Sequence, residues 1–557
     1  MYKQVLDPVS HSLGLTSIFA VLPLVALFLL LGVLRLKAHT AALLSLLVAI
    51  LVAVIVYSMP VGQAADSALE GAAFGFWPIM WIVINALWVF NLTEATGHFA
   101  VLRRAFGAVS QDARVQVVVI AFCFGALLEA LAGFGTPVAI CGIMLVGLGL
   151  PPLQAAAVCL IADTAPVAFG AIAIPITTLG EVTGLPAHNL AQMVGRQTPF
   201  LAVIVPFVLI FVTDGRRGLR QAWPAALIAG VSFGIVQFAV SNYLNYQLTD
   251  IFAALVSAAA VVVLGRVWTP AGGEVSGAEL GGTATRPAIA GAATHQPEME
   301  LRVRADEGRP LTRREMIEAF APYVIITIVL GVISLTAVVK QLTQATIKFA
   351  WPGLHILGAT GKPPKSEMFK LDWFTAAGTG LLIAGLITVI ALRIGPGLAV
   401  RTYLRTLNQI KWALLTVCSV LALAYVMNFS GQTVTLGSWA AGAGGFFAFL
   451  SPLIGWFGTA VTGSDTSTNS LFGALQVAAA KHAGLSPTLL AGANSSGGVL
   501  AKMVSPQNLA IGAAAVGLGG REGDIFRRVV GWSVALVLVL AVFVYLQSTS
   551  VLSWMVP

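Results

Sequence analysis

The sequence predicts an all-α polytopic membrane protein built as an inverted repeat, with about twelve transmembrane helices plus two re-entrant hairpins. Three observations predict it. Of 557 residues, 58% are hydrophobic and 10% charged, whereas soluble domains carry about 25% charged residues. The mean hydropathy is +0.90. A soluble protein needs a polar outer shell, so a cytosolic enzyme, a secreted domain and a nucleic-acid binder are excluded. The second observation is a series of apolar runs near the roughly 20 residues that cross a bilayer as helix. The third is a pair of apolar regions, 117–185 and 447–515, dense in Gly, Pro, Ser and Thr.

Simple spans are expected near 14–34, 39–58, 70–92, 199–213, 223–241, 250–268, 320–340, 372–393, 411–429 and 530–550. The first run ends in Arg35 and Lys37 without a small-residue cleavage pattern, so it reads as a membrane helix and not as a signal peptide. Six inter-helix segments hold 22 of the 31 Lys and Arg residues. They are 35–37, 103–114, 216–220, 266–314, 393–411 and 521–528. Placing them in the cytoplasm follows the positive-inside rule and puts both termini on the far side. The segment 341–371 then lies outside despite Lys348, Lys362, Lys365 and Lys370. Long loops obey the rule less strictly.

Residues 269–318 are polar, Gly- and Ala-rich first and then charged from Glu298 to Glu315. They are expected to form a disordered cytoplasmic insertion. The chain divides accordingly into a first repeat (1–222), linking helices (223–268), the insertion, and a second, inverted repeat (319–557).

A shift of 330 positions lays Gly125 on Gly455, Gly133 on Gly463, Thr136 on Thr466 and Ala171 on Ala501. The charge assignment makes one repeat enter from the cytoplasm and the other from outside. Inverted repeats of this kind are the architecture of secondary transporters.

Helix breaks survive inside a membrane only where protein or cavity water satisfies the freed backbone groups. Four are expected: Gly133–Pro137, Asp163–Pro166, Gly463–Asn469 and Asn494–Gly498. Exposed helix N-termini there attract an anion, each contributing about 0.3–1 kcal/mol. Gly133, Gly135, Thr136, Thr164, Ser464, Thr466, Ser467, Asn469, Asn494, Ser495, Ser496 and Lys502 are the candidate substrate-binding residues. The competing reading is that these small residues only let helices approach. Four clusters with Pro and Asp inside them favour a site.

Ionisable groups in apolar segments cost at least about 2.5–3.5 kcal/mol each on insertion scales. Glu129, Asp163 and Asp465 are therefore proton-coupling candidates, because a low-dielectric cavity favours a protonated carboxyl. Lys502 is placed to attract an anion or to pair with an acid. Arg196 reads as a structural pair near a helix end. His98, His188 and His482 read as interfacial, without metal-ligand spacing, and scattered Trp residues read as interfacial anchors. Cys123, Cys141, Cys159 and Cys418 read as core-filling residues. Neither a P-loop nor H-E-x-x-H occurs in the sequence. No cofactor, metal or nucleic-acid partner is expected.

Several long runs carry a resemblance. They are GFWPIMWIVINA (75–86), FCFGALLEALAGFGTPVAI (122–140), LIADTAPVAFGAIAIPI (160–176), QMVGRQTPF (192–200), FKLDWFTAAGTG (369–380), GTAVTGSDTSTNSLFGALQ (458–476) and GANSSGGVLAKMVSPQNLAIGAAAVGL (492–518). The chain resembles the bacterial L-lactate permease family over nearly its whole length, apart from the 269–318 insertion. The resemblance implies a multi-pass carrier of the bacterial plasma membrane. Such a carrier moves L-lactate, D-lactate and glycolate together with a proton. Asp163 stands where the family pattern has Asn. Two other readings stay open: a sodium-coupled carrier of a dicarboxylate or other organic anion, and a membrane sensor that binds an anion without moving it.

Overall fold

Apolar runs fold as helix because a backbone in lipid must satisfy its own N–H and C=O groups. The computed structural model describes residues 2–557 apart from 35, 108, 134, 271–274, 277, 281–311, 334–335 and 359–367. The first half contains α1 (Leu13–Ala20), α2 (Leu22–Phe28), α3 (Ala38–Ile55), α4 (Val61–Phe74), α5 (Trp81–Ala95) and α6 (His98–Gly107). The first glycine-rich region gives α7 (Ala113–Val117), α8 (Gly125–Leu131), α9 (Thr136–Gly147), α10 (Pro152–Ala162) and α11 (Gly170–Thr183). Then come α12 (Ala187–Tyr243) and α13 (Thr249–Val267). The second half contains α14 (Arg313–Ile333), α15 (Thr336–Leu342), α16 (Ala377–Ala391), α17 (Pro396–Ser430) and α18 (Gln432–Ala440). The second glycine-rich region gives α19 (Phe447–Thr462), α20 (Asp465–Ala483), α21 (Pro487–Ala501) and α22 (Pro506–Ala515), followed by α23 (Glu522–Gln547).

Among the described residues, ten helices are long and apolar enough to cross a membrane, or eleven with the bent pair Pro152–Ala162 and Val167–Thr183. One of the ten, α12, is two arms. Asp214 and Gly215 leave helical geometry, and the chain doubles back: Thr198 donates to Gln237 at 3.1 Å, and Gly230 lies against Val203. The arms contain the spans expected at 199–213 and 223–241.

Other bounds differ from the expected ones for local reasons. The span expected at 70–92 is broken at Trp77, extended at φ −120° and ψ 120°. The following Pro78 disfavours helix at the residue before it. The helix expected from 320 starts at Arg313 because Thr312 and Glu315 form a capping box, with Thr312 N–H on Glu315 Oε2 at 2.8 Å and Glu315 N–H on Thr312 Oγ1 at 3.2 Å. The middle of the expected insertion, 281–311, lies outside the described residues.

Two small sheets join distant segments. β1 (Tyr2–Lys3) pairs in parallel with β3 (Ile356–Leu357), and β2 (Ile347–Ala350) pairs antiparallel with β4 (Met368–Leu371). The N-terminus therefore lies beside residues 356–357. Elsewhere Arg114 gathers Asp112, Asp214 and Gln221 at 2.7, 3.3 and 2.6 Å. Asp112 also accepts from Val275 N–H at 3.1 Å. This brings Asp112, Arg114, the 214–221 stretch and Val275 together.

The halves pack reciprocally. α3 lies on α17 and α16 on α5, while α9 lies on α22 and α20 on α11. Trp77, Trp81 and Trp88 fasten the first half to the second, donating to Asp372 Oδ1 at 3.0 Å, Thr379 Oγ1 at 3.0 Å and the Ala399 carbonyl at 3.1 Å. Trp77 and Trp88 are buried. These three tie the first half to the second, where the composition suggested interfacial anchors. Trp223, Trp412, Trp439 and Trp554 are exposed and suit the anchor role. Exposed apolar side chains such as Ile55 and Ile390 face outward, where lipid would cover them.

Candidate functional site

Both glycine-rich regions run helix, glycine tip, helix, helix, break, helix. The first tip carries Gly133 and Gly135 at φ +55° and +80°, and the second carries Gly463 at φ +76°. These are left-handed conformations that favour glycine. Ser464 caps α20 by accepting from Ser467 N–H at 3.3 Å. The first break runs from Asp163 through a 3₁₀ turn, Val167–Phe169. Three left-handed residues follow, Ala171, Ile172 and Ala173. Each such residue costs about 1–2 kcal/mol, and packing of α11 on α8 and α20 holds them in place.

The fourth break is not where the sequence placed it. Asn494–Gly498 lies inside the continuous α21. The interruption is the 3₁₀ turn Lys502–Val504, ending at the extended Ser505. The reason is arm length. A shift of 330 matches the glycine tips, but α20 has 19 residues where α9 has 12. Beyond the hairpins the starts of α10 and α21, and of α12 and α23, lie 335 apart. Gly497 and Gly498 serve close approach: Gly497 meets the Pro452 backbone, and a side chain at Gly498 would collide with Asp465 Oδ1.

Around the second tip a polar chain crosses three helices. Asp465, in the first turn of α20, is 3% exposed. Its Oδ2 accepts from Ser495 Oγ at 2.6 Å and from Asn469 Nδ2 at 3.3 Å. Asn494 Nδ2 donates to Asn469 Oδ1 at 2.9 Å, and Gln476 Nε2 donates to Asn494 Oδ1 at 3.2 Å. Asn469 also donates to the Pro175 carbonyl on α11 at 3.2 Å. Asp465 Oδ1 has no hydrogen-bond partner among the described residues.

The charged centre joins the halves. Lys502 Nζ lies 2.6 Å from Glu129 Oε1 and 3.0 Å from Asp163 Oδ2, and all three side chains are buried. Gly170 makes room for Glu129: a Cβ there would stand 2.7 Å from Oε1. Asp465 lies against Gly498, about one helical turn before Lys502. One cation is thus shared by two carboxylates. Removing charges from water costs several kcal/mol per ion, so this cluster is an expensive feature for a membrane interior.

Glu129, Asp163, Asp465, Asn469, Asn494, Ser495 and Lys502 therefore converge. The other candidates serve locally. Thr164 Oγ1 donates to the Ile161 carbonyl at 2.7 Å. Ser496 turns to Gln197 Oε1 at 2.7 Å. Gly135 lies against Asn508 and Ile511 of α22. Thr136 and Thr466 are half-buried in the opening turns of α9 and α20. Arg196 ties Asn242 Oδ1 and the Met555 carbonyl, both at 2.9 Å. Sequence reasoning missed buried Gln197, Gln237, Asp250, Gln476 and Asn508. Their polarity inside apolar helices was the available signal.

An apolar helical bundle interrupted at glycine tips, with paired charges at the interruptions, is a multi-pass membrane transport protein. The chain matches the L-lactate permease family over residues 16–551 and belongs to that family. It is 40% identical over 552 residues to "Glycolate permease GlcA" of Escherichia coli strain K12, covering 96% of each chain. It is 39% identical over 583 residues to "L-lactate permease" of Bacillus subtilis strain 168, covering 100% of each. Among solved structures it is similar to Neisseria gonorrhoeae MtrF, with a TM-score of 0.46 and 13% identity, covering 87% of this chain and 83% of that one.

Proposed function

We propose that this protein carries lactate, as both enantiomers, and glycolate across the bacterial inner membrane by symport with a proton. The names of its relatives support the substrates. The observation that carries the coupling is Lys502 between Glu129 and Asp163. A substrate carboxylate needs the ammonium that these two acids hold. A proton on one of them weakens that hold, so anion and proton bind together. The substrate hydroxyl falls to the Asp465, Asn469 and Ser495 cluster. The repeats, 1–222 and 319–557, are inverted, with 223–268 linking them and 269–318 cytoplasmic. The bundle holding the breaks moves against the helices around α3, α5, α16 and α17, which gives alternating access.

One lactate with one proton is electroneutral, so the drive is the pH gradient, about 1.4 kcal/mol per pH unit, plus the substrate gradient. Uptake of labelled lactate into proteoliposomes tests this, with a panel of 2-hydroxy acids as competitors. Accumulation should follow an inward proton gradient. Accumulation driven by sodium and indifferent to pH would establish the sodium-coupled reading. Saturable binding without counterflow would establish the sensor. For the topology, cysteine labelling near Gln247 and near Arg302 should report opposite faces, and the same face for both would overturn the span count.

A further inference from the structure

Asp250 is a buried acid that the mechanism above leaves unused. It stands in the first turn of α13 and is 1% exposed. Its Oδ1 accepts from Gln237 Nε2 at 3.0 Å. The same amide lies 3.2 Å from the Ala165 carbonyl, inside the first break, and Gln237 Oε1 accepts from Thr198 at 3.1 Å. Asp250 is therefore wired to the backbone between Asp163 and Gly170.

α13 also packs directly on α8, the helix that carries Glu129. The two carboxylates therefore sit on helices in direct contact. Each has one oxygen, Asp250 Oδ2 and Glu129 Oε2, without a hydrogen-bond partner among the described residues. A buried acceptor left unpaired costs about 1–3 kcal/mol, more when charged. A proton on either acid relieves the unpaired oxygen of that acid. The other groups presented to α13 fit this. From α12 come Gln237 and Thr198, which do not titrate. From the 118–124 stretch comes Cys123, which is engaged with Ser257 at 3.3 Å, and from the 246–248 turn comes Tyr246, whose hydroxyl lies 3.4 Å from Thr177 Oγ1. Asp250 follows the 244–248 turn, where Asn245 and Gln247 are partly exposed.

We propose that Asp250 is a second proton-holding residue, the outer station of a relay to Glu129. In the relay step the Asp250 O–H bond breaks, an O–H bond forms on Glu129, and Asp250 is left as carboxylate for the next proton. The proposal rests on the proton-coupled reading above. Asp250→Asn keeps an acceptor for Gln237 and removes the proton site. In proteoliposomes, pH-driven lactate uptake and the accompanying internal acidification should fall about tenfold or more, a loss typical of removing a proton-transfer group. Counterflow of labelled lactate at equal pH needs no net proton movement and should stay within about twofold. Asp250→Glu should restore the pH-driven component. Unchanged pH-driven uptake in Asp250→Asn overturns the proposal. So does an equal loss of counterflow that Asp250→Glu leaves uncorrected. A wild-type protein without pH-driven uptake would instead overturn the symport reading, and it is recognised before any variant is made.

Discussion

The two glycine-rich regions share an order of events and divide the chemistry. The region from α7 to α11 supplies charge and strain: Glu129, Asp163 and three left-handed residues at its break. The region from α19 to α22 supplies hydroxyls and amides around Asp465, and its break at Lys502–Ser505 has no positive φ among its residues. Each acid rests against a glycine, Glu129 on Gly170 and Asp465 on Gly498. A duplicated scaffold thus holds unlike halves of one site. The lone lysine of the break belongs to the polar half and is claimed by the acids of the other.

The largest effect should come from cutting that claim. Lys502→Met leaves two buried acids without their cation, a loss of about 3–5 kcal/mol for a broken buried pair. Accumulation should vanish and the folded yield should drop. Adding Glu129→Gln should restore the yield, read by size-exclusion chromatography, and leave transport absent. Recovered transport would mean that Lys502 is not the anion's partner.

Next come the glycine seats. Ala at Gly498 or Gly170 pushes a methyl into a carboxylate, and overpacking costs about 1–3 kcal/mol. Both variants should melt earlier and lose most uptake. If only Gly498→Ala suffers, the acid of the first region is not held as tightly as that of the second.

Asp465→Asn sharpens the division of labour. If this side recognises the hydroxyl and the other carries the proton, pH-driven accumulation persists while the lactate KM rises about tenfold, the scale of one altered polar contact. Loss of pH drive with intact counterflow would move the proton to Asp465. Asp163→Asn should act more weakly, within a few-fold, because Lys502 keeps Glu129 at 2.6 Å. Its uptake should still rise as external pH falls, since outside acid supplies the coupled proton. Arg196→Ala should be smallest. It removes two bonds to Asn242 and Met555, at a cost of about 1 kcal/mol, and leaves transport intact.

Much of this comparison was legible in residue order. Gly133 and Gly463 announced turns because glycine tolerates left-handed backbone, and Pro78, Thr312 and Glu315 act through local rules. The acids stood out because charge in an apolar run is costly. Partner choice was not legible. Glu129 and Lys502 lie 373 residues apart, and no periodicity connects them. The fourth break was misplaced because a constant shift cannot show that α20 outgrows α9. The Gly497–Gly498 pair looked like an interruption and serves close helix contact instead. Asp250 was passed over because a carboxylate at a helix start is ordinarily a solvated end, and only the packing of α13 on α12 and α8 buries it.

The crossing of α3 onto α17 and of α16 onto α5 has a consequence for biogenesis. During synthesis the first half leaves the ribosome with flanks shaped for helices not yet made. The tryptophans at 77, 81 and 88 then have neither their acceptors nor the glycine seats that Gly378 and Gly385 give two of them. Lipid or a chaperone must cover those flanks until the second half is inserted. A chain truncated at the midpoint is therefore expected to be degraded in the membrane, and pulse-chase of such a chain checks this.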